Sequence, residues 1–125
     1  MWRLLGQPER WFEGYLETRS RSQGYPGPDT RNDHLYRTRI KEEVAVRVIR
    51  SEAPTLLEET QKGKTFARRV RYSLSPAADG TLLRAEDNIV FKGLGKLAAP
   101  IASRDVRSRW ATSLEKLKAA VEAGE

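Results

Sequence analysis

The final stretch of the chain, Leu97 to Glu125, carries apolar residues at every third or fourth position. They are Val106, Trp110, Leu114, Leu117 and Val121. This spacing predicts one long α-helix with an apolar stripe along one side. Pro100 suits its first turn, because a missing N–H costs little there. Since a helix of this length is not stable on propensity alone, the stripe must cover another part of the protein.

Between His34 and Lys92 the apolar residues change to a period of two. This pattern predicts five strands, at His34–Ile40, Val44–Ser51, Thr55–Gln61, Thr65–Ser75 and Thr81–Lys92. Turn-forming sequences such as Lys62-Gly63-Lys64 and Pro76 to Gly80 separate the strands. Short turns between successive strands predict an antiparallel sheet, whose apolar face is the surface available to the helix.

The segment before the strands predicts two short helices and a loop. The first is an apolar start that ends at Gly6, and the second covers Pro8 to Glu13, where a proline and an acid suit a first turn. Thr18 to Asp33 is rich in Ser, Gly, Pro, Asp and Asn and predicts a loop. We therefore expect a single α+β domain over residues 1–125.

The composition narrows the classes of chemistry. A chain of 125 residues can bury a hydrophobic core, and the absence of cysteine excludes disulfides and thiolate catalysis. No apolar run approaches the roughly 20 residues that a membrane span needs. Arg3, Glu9 and Arg10 interrupt any signal-peptide core, so an intracellular, cytoplasmic protein is expected.

The formal charge of +6 raises the question of a nucleic-acid or acidic-membrane surface. The basic residues are spread along the chain and interleaved with acids, and the tight group of Arg68, Arg69 and Arg71 lies inside an alternating strand. No zinc-finger, RRM or basic-region pattern is present. The charge therefore favours a solvated surface, and no nucleic-acid partner is expected.

Four segments are similar, in order and spacing, to those of a known family. They are Trp2-Arg3-Leu4-Leu5-Gly6-Gln7-Pro8-Glu9-Arg10-Trp11, Val48-Ile49-Arg50-Ser51-Glu52-Ala53-Pro54, Tyr72-Ser73-Leu74-Ser75-Pro76 with Gly80-Thr81-Leu82-Leu83, and Gly93-Leu94 with the ending Leu114…Leu117-Lys118…Glu122. Together they resemble the START/Bet v 1-like helix-grip superfamily (SRPBCC), particularly its polyketide cyclase/dehydrase-type branch.

The resemblance implies a curved antiparallel sheet that grips a long C-terminal helix. It also implies a pocket between the two for an apolar or aromatic small molecule, such as a lipid, sterol or polyketide. Members of the family range from carriers to cyclases, so the resemblance leaves open whether the chain is an enzyme. No cofactor is expected.

The chain departs from the family at its start. Family members begin with a strand that closes the sheet beside the last strand, whereas here the first helix begins at Met1. The first family strand is thus expected to be missing, which leaves an open edge beside Thr81–Lys92. An open edge favours pairing with another chain, so a homodimer through this edge is expected.

Three residues are candidates for acid–base catalysis. Asp87 shares the apolar phase of its strand with Ile89, which makes it either a polar anchor inside the pocket or a residue that a twist or bulge returns to water. His34, the only histidine, is either a general base or, as we favour, a residue of a strand start or a loop. Tyr72 is the third candidate. With one His and no Cys, no metal site is expected.

The candidate ligand contacts are aromatic and aliphatic residues. They lie at inward positions of the strands, in the predicted second helix, near the start of the long helix, or on its apolar stripe. With Asp87 they are Trp11, Tyr36, Val48, Phe66, Tyr72, Ile89, Phe91, Leu97, Ile101 and Trp110. Plain core packing is the commoner role for each one alone. Polar groups that converge inside the pocket would favour an enzyme, and an entirely apolar pocket would favour a carrier. A filled core without a pocket would favour an interaction module that uses the sheet edge.

Overall fold

The computed structural model of the chain describes residues 1–37, 40–78, 80–96 and 99–123, and gives no side-chain description at 94, 95 and 99–103. A short helix and a 3-10 turn open the chain, six strands follow, and a second 3-10 turn leads into the last helix. The elements are α1 (Trp2–Leu5), a 3-10 turn (Pro8–Arg10), β1 (Tyr15–Arg21), β2 (Arg31–Arg37), β3 (Lys41–Glu52), β4 (Leu56–Lys62), β5 (Phe66–Ala77), β6 (Gly80–Phe91), a 3-10 turn (Gly93–Lys96) and α2 (Ala99–Glu122).

The six strands form one antiparallel sheet in the order in which they occur along the chain, β1 to β6. The longest ladder joins β5 to β6 without a register shift, from Phe66 opposite Phe91 to Ala77 opposite Gly80. Register shifts interrupt β1 against β2, and β3 against β4 between Val48 and Arg50. Such bulges bend a strand and increase its twist, which lets the sheet curve around α2. The α+β class and the sheet-plus-helix arrangement are confirmed.

The prediction of a loop from Thr18 to Asp33 was wrong at both ends of that segment. The structure has β1 at Tyr15–Arg21 and β2 beginning at Arg31, so the sheet has six strands where five were predicted. β1 lies at a sheet edge, exposes most of its side chains and contains two register shifts. A bulged, solvent-facing strand has no period-two apolar pattern, and for that reason the sequence did not reveal it.

The second predicted helix, Pro8 to Glu13, is also shorter than expected. Only Pro8–Arg10 is helical, as a 3-10 turn, and the chain then turns at Gly14 with φ at +93°. A Cβ at Gly14 would lie 2.6 Å from the carbonyl oxygen of Arg37, so the close approach of these two backbones requires glycine. The turn redirects the chain into β1.

Two apolar clusters make the core on the inner face of the sheet. The first contains Leu4, Leu5, Trp11, Val48, Leu57, Val70, Tyr72, Leu74 and Leu117. The second contains Tyr36, Val44, Val46 and Phe66, with Ile89 and Phe91 packed against it. Phe12 and Tyr25 touch both clusters. The first cluster is closed by Leu117 of α2 and by the N-terminal segment.

The long helix α2 docks through part of its predicted stripe. Leu117 is 1% exposed, whereas Leu114 of the same stripe is 36% exposed. Ser113 is fully buried instead, and its Oγ accepts a hydrogen bond of 2.8 Å from the backbone N–H of Glu13. The helix thus faces the core with Trp110, Ser113 and Leu117. Among the helices in the described ranges, none is long and apolar enough to cross a membrane.

Candidate functional site

Polar side chains occupy inward positions on three neighbouring strands. In β4, Leu57 faces the core and is followed in the same phase by Glu59 and Gln61, which are 4% and 2% exposed. Gln61 lies directly opposite Arg68 of β5. Glu59 lies opposite Val70, which in turn lies opposite Asp87 of β6. The ladders therefore bring two carboxyl groups, an amide and a guanidinium onto one face.

Asp87 is the point at which β6, β5 and α2 meet. Its Oδ2 accepts a hydrogen bond of 2.8 Å from the indole N–H of Trp110 and lies 3.2 Å from Nη2 of Arg68. The side chains of Arg68 and Asp87 are 9% and 11% exposed, so the pair is largely removed from water. Phe66 stacks beneath the guanidinium, whose Cζ is 5.2 Å from the ring centroid. The regular register of β6 keeps Asp87 on the inner face.

Glu59 is held by two hydrogen-bond donors. The hydroxyl of Tyr25 donates to Oε2 at 2.9 Å, and Nε2 of Gln61 donates to Oε1 at 3.0 Å. Burial nevertheless raises the pKa of Glu59, because desolvation of the carboxylate outweighs both hydrogen bonds and the attraction of Arg68. Burial also raises the pKa of Tyr25, and the proximity of Glu59 adds to that shift. Both shifts are toward the neutral form, whereas the hydrogen bonds that Tyr25 and Gln61 donate to Glu59 favour its carboxylate.

Two further polar side chains, on β2, continue the inner face. His34 is fully buried, and its Nδ1 is 3.0 Å from Oγ1 of Thr18, which is 2.6 Å from the hydroxyl of Tyr15. Burial, helped by the positive charge of Arg21, lowers the pKa of His34 from 6.5 to about 4, so the ring is neutral at neutral pH. Asn32 is also fully buried, and its Oδ1 accepts a hydrogen bond of 3.0 Å from the backbone N–H of Ser22.

Within the described part of the chain, five buried side-chain atoms on this face lack a hydrogen-bond partner. They are Asn32 Nδ2, His34 Nε2, Gln61 Oε1, Arg68 Nε and Asp87 Oδ1. Each belongs to a side chain whose other polar atom is already fixed by a contact described above. Buried polar groups are normally satisfied, so a group of unpaired atoms on one face needs a specific explanation. We call these five residues the inner polar band.

Aromatic rings border the band on the side of the first cluster. Tyr72 contacts Trp11 and Trp110 edge to face, at centroid distances of 6.1 and 6.0 Å, and Phe12 contacts Trp110 at 5.5 Å. The indole N–H of Trp11 donates to the carbonyl oxygen of Leu4 at 2.6 Å. Burial raises the pKa of Tyr72, with the charge of Glu59 adding to the effect. Tyr72 is therefore a neutral wall residue at neutral pH.

The predicted ligand residues divide between the two clusters. Trp11, Val48 and Tyr72 are buried in the first cluster, and Tyr36 and Phe66 in the second. Ile89 and Phe91 are half-buried beside the second cluster, while Asp87 and Trp110 join β6 to α2. Leu97 and the side chain of Ile101 lie outside the described residues.

Sequence reasoning missed most of the inner polar band. Asp87 and His34 were named as candidates, but Asn32, Gln61 and Arg68, and the adjoining Glu59, were not. A signal existed for three of these, since Glu59 and Gln61 share the phase of Leu57, and Arg68 stands between Phe66 and Val70 in phase. Asn32 lay in the segment predicted to be a loop.

The described residues contain no group of three or more His, Asp or Glu side chains close enough to hold a metal ion. The polar atoms of the band are instead suited to hydrogen bonding with an organic molecule, because amide, guanidinium, imidazole and carboxylate groups supply both donors and acceptors. The arrangement is that of polar groups set in an apolar and aromatic wall, which is typical of small-molecule sites.

Comparison with known proteins identifies the fold. No family model matches the chain, and no curated protein matches it in sequence. The chain is similar to a protein of Rhodobacter sphaeroides whose crystal structure was solved by the Northeast Structural Genomics Consortium, with a TM-score of 0.64 and 18% identity. The match covers 99% of this chain and 84% of that one. At this identity the likeness shows the fold alone: an open antiparallel sheet with a C-terminal helix, compatible with a helix-grip fold.

Proposed function

We propose that the protein binds a small organic molecule between the inner face of the sheet and α2, as a helix-grip domain of the START/Bet v 1-like type. The observation that carries the proposal is the inner polar band, in which five buried atoms without partners lie on one face. Leaving a buried donor or acceptor unpaired costs about 1–3 kcal/mol. A ligand that pairs with several of them would recover that free energy on binding.

The surroundings of the band support a ligand with an apolar or aromatic body. Phe66 and Ile89 flank it on the side of the second cluster, and Tyr72 and Trp110 on the side of the first. Aromatic walls gain free energy by removing a flat apolar surface from water and by edge contacts with other rings. This environment is consistent with the lipid, sterol or polyketide class that the sequence resemblance implies.

The proposal is tested with the neutral fluorescent probe N-phenyl-1-naphthylamine. We expect saturable binding of one molecule per chain. Ile89→Trp should abolish it, because the larger ring fills the inner face of β6. Val90→Trp is the matched control, since Val90 is the next residue, faces outward and is 67% exposed. No saturable binding, or equal loss in both variants, would overturn the proposal.

An enzyme on the same scaffold is a second candidate, favoured by the unpaired Nε2 of His34 and Oδ1 of Asp87. A neutral imidazole can accept a proton from a substrate, although its lowered pKa makes His34 a weak base. Loss of a proton beside a carbonyl, as in a cyclase or dehydratase reaction, would use His34 as that base. Asp87 is a separate candidate, because it lies on β6 and three strands stand between it and β2. Tyr72, also named from the sequence, contributes its ring to the wall.

The enzyme candidate predicts that the protein accelerates exchange of the α-protons of 2-tetralone in D₂O, and that His34→Asn abolishes the acceleration. Proton NMR measures the exchange directly. A carrier predicts binding of the ketone with exchange at the rate in buffer alone. Acceleration that survives in the His34→Asn variant would remove His34 from the mechanism.

A further inference from the structure

Three members of the inner polar band are neighbours on adjoining strands. Gln61 and Arg68 are directly opposite each other in the β4–β5 ladder. Arg68 lies opposite Ile89 in the β5–β6 ladder, so Asp87, two residues before Ile89, is its diagonal neighbour on the same face. Diagonal neighbours in a sheet are about 7–8 Å apart between Cα atoms, and Arg68 spans this gap with its 3.2 Å contact to Asp87.

The unpaired atoms of these three residues alternate in type. Gln61 uses its Nε2 to donate to Glu59, which leaves Oε1 as an acceptor. Arg68 uses Nη2 toward Asp87, which leaves Nε–H as a donor. Oδ2 of Asp87 pairs with Nη2 of Arg68 and accepts a hydrogen bond from the indole N–H of Trp110, which leaves Oδ1 as an acceptor. From β4 through β5 to β6, the unpaired atoms are therefore an acceptor, a donor and an acceptor.

The charges of Arg68 and Asp87, the two ionic side chains among these three residues, are paired with each other. Nη2 of the guanidinium lies 3.2 Å from Oδ2 of the carboxylate, and His34 is uncharged at neutral pH because its pKa is about 4. An anionic or cationic ligand would lose its hydration here without meeting an unpaired opposite charge. A neutral ligand meets no such penalty.

The side chains that carry these atoms are fixed before any ligand arrives. Phe66 stacks under the guanidinium of Arg68, Trp110 holds Asp87, and Glu59 holds Gln61. Groups that are already oriented lose little conformational entropy on binding, so their hydrogen bonds discriminate well between ligands. A site with oriented groups rejects a ligand that leaves them unpaired.

We propose that the ligand is a neutral planar molecule whose edge carries a carbonyl oxygen beside an N–H or O–H group, as in an aromatic amide or a hydroxyketone. The carbonyl oxygen accepts from Nε of Arg68, and the adjoining N–H or O–H donates to Oε1 of Gln61 or Oδ1 of Asp87. This inference rests on the proposed function and specifies the chemical class of its ligand.

The test is competition against N-phenyl-1-naphthylamine by four naphthalenes of similar size. 2-Naphthamide offers a carbonyl and an N–H, methyl 2-naphthoate a carbonyl alone, 2-naphthoate a negative charge and 2-naphthylmethylammonium a positive one. We expect 2-naphthamide to bind at least about tenfold more tightly than each of the others, since one additional satisfied hydrogen-bonding group is worth about 1–2 kcal/mol.

A variant pair assigns the preference to the band. Gln61→Leu removes the acceptor in a side chain of similar size, and should reduce the advantage of the amide over the ester to less than about threefold. Thr60→Val is the matched control, because Thr60 is the adjacent residue and faces away from the core. If Gln61→Leu fails to fold, the ranking of the four compounds in the unsubstituted protein decides the matter by itself.

The outcomes separate the two proposals. Probe binding with equal affinity for all four naphthalenes, or with 2-naphthoate the tightest, leaves the proposed function standing and overturns the assignment of the ligand class. If the probe binds but none of the four naphthalenes displaces it, the proposed function likewise stands and the assignment of the ligand class is overturned. Absence of probe binding overturns the proposed function, and the inference falls with it.

Discussion

Glu59 and His34 are both buried on the inner face of the sheet, and burial moves their pKa values in opposite directions. Burial favours the neutral form of each group, which raises the pKa of the carboxyl and lowers that of the imidazole. Each shift couples the proton affinity of one residue to the free energy of unfolding. The ionisation of these residues can therefore be followed through stability.

Glu59→Gln should stabilise the protein at neutral and higher pH. The native state of the unsubstituted protein resists ionisation of Glu59, so its contribution to stability is present below pH 4.5, the unfolded pKa, and is lost as the pH rises through the raised native pKa. The variant has no such loss and should therefore be more stable than the unsubstituted protein at pH 8. The amide fits the site, because the hydroxyl of Tyr25 can accept from it.

Urea unfolding of both proteins from pH 4 to pH 8 measures this difference. A gap that grows with pH and then levels off agrees with the structure. A gap that is constant across the range would mean that the pKa of Glu59 is the same in the native and unfolded states.

His34→Asn should reduce the loss of stability in acid. The native pKa of about 4 lies below the unfolded value of 6.5, so the contribution of His34 is present above pH 6.5 and is lost as the pH falls toward 4. The loss amounts to up to about 3 kcal/mol, and the negative charges of Glu9 and Asp33 oppose it while Arg21 adds to it. Equal acid sensitivity of the two proteins in urea unfolding would contradict the burial of a neutral ring.

At the scale of elements, long regular patterns were predictable and short irregular ones were not. The ladder of β5 and β6 and the helix α2 follow from apolar positions that recur over many residues. The strand β1 is polar, bulged and at an edge, so nothing in its residues distinguishes it from a loop. The helix stripe was right for Leu117 and wrong for Leu114, because the rotation of a helix about its axis depends on what it packs against.

The docking of α2 is tested by two leucines one turn apart. Leu117→Ala should lower the free energy of unfolding by about 2–5 kcal/mol, since Leu117 fills the first cluster. Leu114→Ala should cost less than about 1 kcal/mol, because its side chain is partly in water. Equal losses in chemical unfolding would mean that α2 is rotated from the orientation described.

The inner polar band shows the limit of sequence reasoning about the site. The phase of Asp87 made an inward position one of two alternatives, and the polar residues of β4 were not named as candidates. The carboxyl group of Glu59 is held by Tyr25, which lies more than thirty positions away and supplies a hydrogen bond. The phase that Glu59 and Gln61 share with Leu57 indicates an inward position, but the partner in a distant segment is set by the fold.

At the scale of the whole molecule, the sheet remains open at β6. In the described part of the chain β6 pairs only with β5, and Leu82 and Val90 beside this edge are 60% and 67% exposed. An antiparallel pair of two β6 strands with its two-fold axis at Ala85 would set Arg84 of one copy opposite Glu86 of the other. Opposite charges across a strand pair are stabilising, but Nε of Arg84 already lies 3.2 Å from Oε1 of Glu86 in the same chain. The homodimer through this edge stays a prediction from the sequence.

Arg84→Glu should therefore weaken self-association, and the double variant Arg84→Glu with Glu86→Arg should restore it. Sedimentation at several protein concentrations measures both effects. A monomer at every concentration, or association that the charge reversal leaves unchanged, would count against a dimer through this edge.

The central claim is that a neutral small molecule binds the inner polar band beneath α2. Hydrogen–deuterium exchange, followed by mass spectrometry with and without saturating 2-naphthamide, tests it most directly. We expect slower exchange in β4 and β5 and in α2 around Trp110, with the hairpin end of β5 and β6 near Gly80 unchanged. No change in exchange, or protection confined to the outer edge of β6, would contradict the claim.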